Sequence, residues 1–154
     1  MSDPPPLPPN PPPGVLSIVV ANERREIPRI GERLAEFGDA CGLSADDIAS
    51  VNLAIDELIS NVINYAYDDT EKHHIQLTVS VEGDLLTLSI DDEGKAFNPI
   101  EAPMPDLDLP IEKRPIGGLG IFLVKSMADT LEYRRERGHN ILTLTKKLSP
   151  RARE

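Results

Sequence analysis

The stretch DELISNVINYAY, from Asp56 to Tyr67, decides how the rest of the chain is read. Val51, Ile55, Ile59, Val62 and Ala66 recur at the 3.6-residue repeat of a helix and form an apolar stripe that must pack on something. Glu57, Asn61 and Asn64 fall at i, i+4 and i+7 on the other side, with Ser60 and Asp68 beside them. A polar stripe on a helix is most simply a solvated outer face, but such faces mix Lys, Arg and Glu. This one carries a carboxylate and two amides instead, oxygen ligands of the kind a hard cation such as Mg²⁺ accepts.

Outward from this helix, composition sets the bounds. A chain of 154 residues with 40% hydrophobic content predicts one domain with a real core. It has no run of about 20 apolar residues, and its start lacks a basic region followed by an apolar one, so neither a membrane span nor a secretory signal is expected and the cytosol is the expected compartment. The lone Cys41 has no CxxC or Cys/His partner at metal-ligand spacing, which excludes a disulfide framework and a zinc site and leaves a small packing role. A formal net charge of -10 with no basic stripe, and no Trp, argues against nucleic acid as a direct partner. No GxxxxGK[ST] is present, which excludes a P-loop. His73 and His74 have no Ser or Cys at a diagnostic spacing and read as exposed loop histidines.

The opening DPPPLPPNPPPG cannot form a helix or pair as a strand, so residues 1–14 are expected to be a disordered, Pro-rich arm. The domain spans 15–148, with a frayed tail at 149–154. Val15 to Val20 reads as a strand, and Ile27, Ile30, Leu34 and Phe37 mark a helix that Gly42 ends. Ser44 caps the next helix, with Asp46 and Asp47 in its first turn, and that helix is expected to run to about Tyr67. Ile75 to Val81 and Leu85 to Ile90 alternate around Glu82, Gly83 and Asp84 as a hairpin, leaving Asp91 and Asp92 at a strand end. Asn98 to Pro115 holds five prolines without periodicity and reads as a lid. A helix then opens at Gly117 to Gly120, and two strands, Leu131 to Glu136 and Asn140 to Lys147, close through a turn at Gly138 and His139. The order predicts an α+β, two-layer sandwich, with a mixed, mostly antiparallel sheet covered on one face by three helices.

Three separated pieces of this chain suit one chemistry. Glycines at a helix start let the backbone approach an anion, and the free amides and helix dipole attract negative charge, so GGLG at Gly117, Gly118, Leu119 and Gly120 is a candidate phosphate cradle. In DDEGKAF, Asp91 to Phe97, a strand-end carboxylate followed by Gly94 can accept a hydrogen bond from an exocyclic amine such as that of adenine. With the Glu57/Asn61 stripe, in this order, they resemble the ATP-binding module shared by gyrase B, the Hsp90 chaperone, histidine kinases and MutL, the GHKL or Bergerat fold. Glu57-Leu-Ile-Ser-Asn61 is similar to that family's N-box, Asp92-Glu-Gly94-Lys-Ala96-Phe97 to its first glycine box, and Gly117-Gly118-Leu119-Gly120 to its second. DELISNVINYAY together with GGLGIFLVKSMAD resembles most the stand-alone anti-sigma factor serine/threonine kinases of the RsbW type.

The resemblance implies ATP and Mg²⁺ as cofactors, with Asn61 coordinating the metal, Asp92 reading the adenine amine and Glu57 orienting or deprotonating the attacking hydroxyl. Asn64 lies on the same stripe as a candidate pocket residue. Ala96 stands where many relatives have a second glycine, Arg114 or Lys113 is the candidate for the γ-phosphate, and Thr143 for the adenine contact of the last strand. The implied partners are a STAS-domain anti-anti-sigma protein as substrate, a sigma factor, and a second copy of the chain through an apolar first strand at the sheet edge; neither nucleic acid nor membrane is implied. A non-catalytic ATP-binding interaction module and a detached histidine-kinase-like catalytic domain are the alternatives.

Overall fold

The computed structural model describes residues 14–101 and 118–150. The Pro-rich arm up to residue 13, Lys113, Arg114 and Gly117 lie outside them, as does most of the segment read as a lid. The described chain runs β1 (Val15–Ala21), α1 (Ile27–Cys41), α2 (Ala45–Asn61), β2 (His74–Glu82), β3 (Leu85–Asp92), α3 (Gly118–Met127), β4 (Thr130–Glu136) and β5 (His139–Lys147). The five strands form one sheet in the order β1-β2-β3-β5-β4. The α+β class and the three helices are as the sequence predicts. Among the described residues every ladder is antiparallel, with no parallel pair, so the sheet there is not mixed.

Local chemistry sets the element ends. Gly42 takes a left-handed φ of 73° and closes α1, a conformation in which a Cβ is penalised. Ser44 caps α2 by accepting from the Asp47 amide at 3.1 Å, and Asp46 and Asp47 complement the helix dipole. The hairpin β2–β3 turns on Gly83 at φ 63°. That of β4–β5 turns on Arg137 and Gly138, at φ 51° and 82°, one residue earlier than the expected Gly138 and His139. The helix expected to reach Tyr67 is α-helical only to Asn61 and continues as a π-helix over Val62–Ala66. The wider turn leaves the Ala66 carbonyl to accept the Lys95 amide at 2.8 Å.

The alternation of each strand sends one side to the core. Leu16, Ile18 and Val20, Ile75, Leu77 and Val79, Leu86, Leu88 and Ile90, and Leu142 and Leu144 are buried against Ile30 and Leu34 of α1, Val51, Ile55, Leu58 and Ile59 of α2, and Ile121 and Val124 of α3. Cys41 is half-buried and packs against this cluster. Beyond β5, the Ser149 amide donates to Asp47 Oδ2 at 2.7 Å and the Leu148 amide to the Asp84 carbonyl at 2.6 Å, so the tail read as frayed is tied down at its first residue. These bonds also orient the layers. The N-terminal end of α2 lies by the end of β5, its C-terminal end by Asp92 and the start of β5, and Asp129, just past α3, donates its amide to the Thr145 carbonyl near the end of β5. Helices α2 and α3 therefore run antiparallel.

Candidate functional site

Strand register builds the floor of the site. Ile75 pairs with Asp92, Asp92 with Asn140 and Asn140 with Arg135, so one transverse row crosses four strands at the end of the sheet where α2 terminates. Asp92 and Asn140 continue the inward alternation of Ile90 and Leu142, which places both polar side chains in the core layer, 4% and 5% exposed. Buried polar groups require partners. Asn140 Nδ2 donates to Asp92 Oδ1 at 2.9 Å and to the Lys95 carbonyl at 2.8 Å. Its Oδ1 accepts from Tyr133 Oη at 2.6 Å, Arg135 Nη1 at 3.0 Å and the Phe97 amide at 3.2 Å. The Gly94 amide also donates to Asp92 Oδ1, at 2.8 Å. Both hydrogen bonds that Asp92 accepts from described residues thus fall on one oxygen, Oδ1. Burial raises the Asp92 carboxyl above the ordinary aspartate range, opposed by the bonds from Asn140 and Gly94.

Above Asp92 a narrow pocket has apolar walls, Leu58 and Val62 from α2 and its extension and Ile90 and Leu142 from the sheet, with Asn61 at its edge. The cavity holds only about 20 Å³, so a flat heteroaromatic ring enters only if its walls part, with the carboxylate at the base placed to accept from an amine on the ring edge. The first glycine box closes over this floor. A Cβ on Gly94 would lie 2.5 Å from the Ala66 carbonyl oxygen and 2.9 Å from Asp92 Oδ1, so only glycine lets the chain pass there. Lys95 secures the same turn, its amide on Ala66 and its Nζ 2.8 Å from Asp68 Oδ1. Ala96 is exposed and not among the residues with positive φ, so alanine stands at the second-glycine position without backbone strain. Phe97 lines the pocket and stacks on Tyr65 at 5.4 Å between ring centroids.

The N-box and the second glycine box meet directly. A Cβ on Gly120 would fall 2.1 Å from Glu57 Cδ and 2.2 and 2.3 Å from its oxygens, so the Glu57 carboxyl occupies the space that a glycine in α3 leaves open. Glu57 Oε1 is buried without a hydrogen-bond partner. Burial pushes the carboxyl above the usual glutamate range, partly offset by a hydrogen bond with the Asn61 side chain one turn on. Gly118 and Leu119 open α3 beside this pair, and Lys125 Nζ ties the helix to the Ile100 carbonyl at 2.6 Å. Asn61 is 8% exposed and shares the pocket with Asp92. The Asn61 amide oxygen, next to a helix N-terminus, fits a phosphate-bound Mg²⁺, with the Glu57 carboxyl beside it.

Two expected residues are placed elsewhere. Asn64 is exposed and its Oδ1 accepts from Arg24 Nη2 at 2.7 Å, because the π-helical turn carries it out of the line of Glu57 and Asn61. Thr143 pairs with Ser89 and Glu132 on the sheet face away from the helices, since an odd step along β5 separates it from Asn140. The β5 residue that lies beside Asp92 at the pocket is Asn140, which the sequence reading passed over. Its signal was there: an amide in register with the inward Leu142 and Leu144 is a buried polar group that needs a reason. His73 and His74 are half-buried instead of exposed, and His73 stacks on Tyr67 at 4.1 Å.

Among the described residues no helix is long and apolar enough to cross a membrane. The sequence profile described as the histidine kinase-like ATPase domain matches residues 20–146. The chain is 27% identical over 114 residues to the serine-protein kinase RsbW of Oceanobacillus iheyensis, covering 71% of this chain and 72% of that one. It is 31% identical over 101 residues to the serine/threonine-protein kinase BtrW of Bordetella bronchiseptica, covering 66% and 71%. Among solved structures, the RsbU and RsbW domains of a Mycobacterium tuberculosis protein superpose with a TM-score of 0.65 at 21% identity; the match covers 90% of this chain and spans about a third, 34%, of that one. Matched along most of its length and carrying the N-box and the first glycine box on one floor, this chain belongs to the histidine kinase-like ATPase domain family, where it is similar to the RsbW-type serine-protein kinases.

Proposed function

We propose that this protein is an ATP- and Mg²⁺-dependent serine/threonine protein kinase that acts as an anti-sigma, partner-switching regulator and phosphorylates a STAS-domain anti-anti-sigma protein. The observation that carries this reading is the Glu57 carboxyl, with Oε1 buried and unpartnered, raised by burial and pressed against Gly120. A module that only bound nucleotide would have no use for a carboxylate there. Asp92, fixed by Asn140 and Gly94, accepts from the adenine amine, and Leu58, Val62, Ile90 and Leu142 part to enclose the ring. The start of α3 faces the phosphates with free amides. Mg²⁺, held through the Asn61 amide oxygen, neutralises phosphate oxygens when bound. Glu57 takes the proton of the attacking serine or threonine hydroxyl as its oxygen bonds to the γ-phosphorus and the bond to the β-bridging oxygen breaks, releasing ADP.

Homodimerisation belongs to the same proposal, supported by β1 at the edge of the sheet, although Arg29 and Glu26 already hold the Val19 carbonyl and the Ala21 amide at the far end of that strand. Incubating the protein with ATP, Mg²⁺ and the STAS-domain protein encoded nearest to it tests the kinase reading. A phosphoryl-group gain in the intact mass of that partner, stable in acid, is the expected result. An acid-labile product would point to a histidine-directed enzyme, and no gain to a binding module.

A further inference from the structure

Among the described residues only four large apolar side chains are exposed, and two of them, Leu53 at 48% and Leu123 at 41%, sit on the two helices that meet at Glu57 and Gly120. Leu53 is one turn before Glu57 on α2, and Leu123 is three residues after Gly120 on α3. Because the helices are antiparallel and joined where Glu57 touches Gly120, both steps lead in the same direction along the seam. Leu58 and Ala54, on one flank of Glu57, and Val124, on one flank of Gly120, are buried. The helical repeat places Leu53 and Leu123 on the opposite, outer flank of each helix. They therefore form the two lips of the α2–α3 groove, one turn beyond the carboxylate. Ala49, exposed one turn further back, extends the apolar strip, and Asp46 and Asp56 fall on the same arc of α2 and give it an acidic rim.

We infer that this ledge is where the phosphoacceptor protein docks, with its serine or threonine projecting over Glu57. The inference rests on the kinase reading above and adds the surface on which the acceptor is held. A hydroxyl on a folded protein reaches Glu57 only if the surface around it seats beside the carboxylate, and the ledge is the exposed apolar surface continuous with it. Two unpaired leucines flanked by carboxylates fit an acceptor with apolar side chains next to its hydroxyl and Lys or Arg at the margin. Apolar contacts made equally before and during transfer act on binding and leave the chemical step alone.

The test is a Leu53→Ser, Leu123→Ser double variant of the full chain, with the adjacent STAS-domain protein as probe. Both side chains are exposed, so the melting temperature and ATP affinity should match the parent. Transfer should show KM for the acceptor raised at least tenfold with kcat within about twofold. Unchanged KM overturns the ledge, and so does a fall in kcat alone, which would mean the leucines only support Glu57. Calorimetric binding of the same probe separates this from failure of the kinase reading. A parent that binds the probe without phosphorylating it removes the kinase reading, and the variant's lost binding still upholds the ledge; a parent that neither binds nor phosphorylates overturns both. Light scattering that shows the variant losing a dimer with acceptor KM unchanged would assign the strip to a second copy of the chain instead.

Discussion

Replacing Gly120 with alanine should separate folding from catalysis at the point where the two boxes meet. The added Cβ would fall 2.1 Å from Glu57 Cδ, and restoring an ordinary contact of 3.4 Å displaces the carboxyl by at least about 1.3 Å. The atoms in the way are the far end of a flexible side chain, so the fold yields cheaply. Gly120 is the third residue of α3, where alanine gains about 0.5 to 1 kcal/mol in helix propensity. Net stability should thus stay within about 1 kcal/mol of the parent in a denaturant titration. A catalytic group moved by about 1 Å costs on the order of 10²-fold in rate. Single-turnover transfer to the acceptor should fall by roughly that factor, with ATP affinity close to the parent's. Full transfer activity in Gly120→Ala would show that Glu57 does not act from this position, and a loss of several kcal/mol would show that the Glu57–Gly120 contact holds the helices together.

Asn140→Ala should weaken the fold by about 2 to 4 kcal/mol, since it strips the buried Asp92 of one donor and leaves the Tyr133 hydroxyl and Phe97 amide without their acceptor; it should also weaken ATP binding, and calorimetry with an unchanged affinity would refute its role under Asp92. ATP affinity should decline on acidification at a higher pH than an ordinary aspartate of about 3.9 would give, because burial raises Asp92 and its protonated form no longer accepts freely from adenine; a pH titration of binding flat down to about pH 4 contradicts this. His139 is held up by its bond to Asp91, at 2.6 Å, so its contribution to stability is present below its unfolded value of about 6.5 and is lost as pH rises through the higher folded value. The melting temperature of the parent should exceed that of His139→Gln at about pH 6, and the gap should close above the folded value; a gap that widens with pH has the wrong sign. Glu57→Ala and Asn61→Ala should differ: the first keeps ATP binding and loses about 10²- to 10⁴-fold in transfer, while the second weakens both, as equilibrium binding and transfer rates will show.

The sequence by itself determined the element order, because each element carries its own period and its own punctuation. Leu16, Ile18 and Val20 alternate as a strand, Ser44 and Gly42 mark helix ends, and Gly83 and Gly138 sit in turns, all through local sterics and local hydrogen bonds. It also marked the boxes proposed to carry the chemistry, since Glu57, Asn61 and Asp92 stand in recognisable short motifs. Tertiary structure alone decided which partners those residues have. The Asn140–Arg135 pair follows from the local β4–β5 hairpin, whereas the register that pairs Asp92 with Asn140 depends on β5 lying beside β3, an order no local pattern encodes. The same holds for Asn64 and Thr143, one turned out by the π-helical widening after Asn61 and the other by the two-residue alternation of β5. The contact of Glu57 with Gly120 joins residues far apart in the chain, because a side chain missing from one helix makes room for a carboxylate on another.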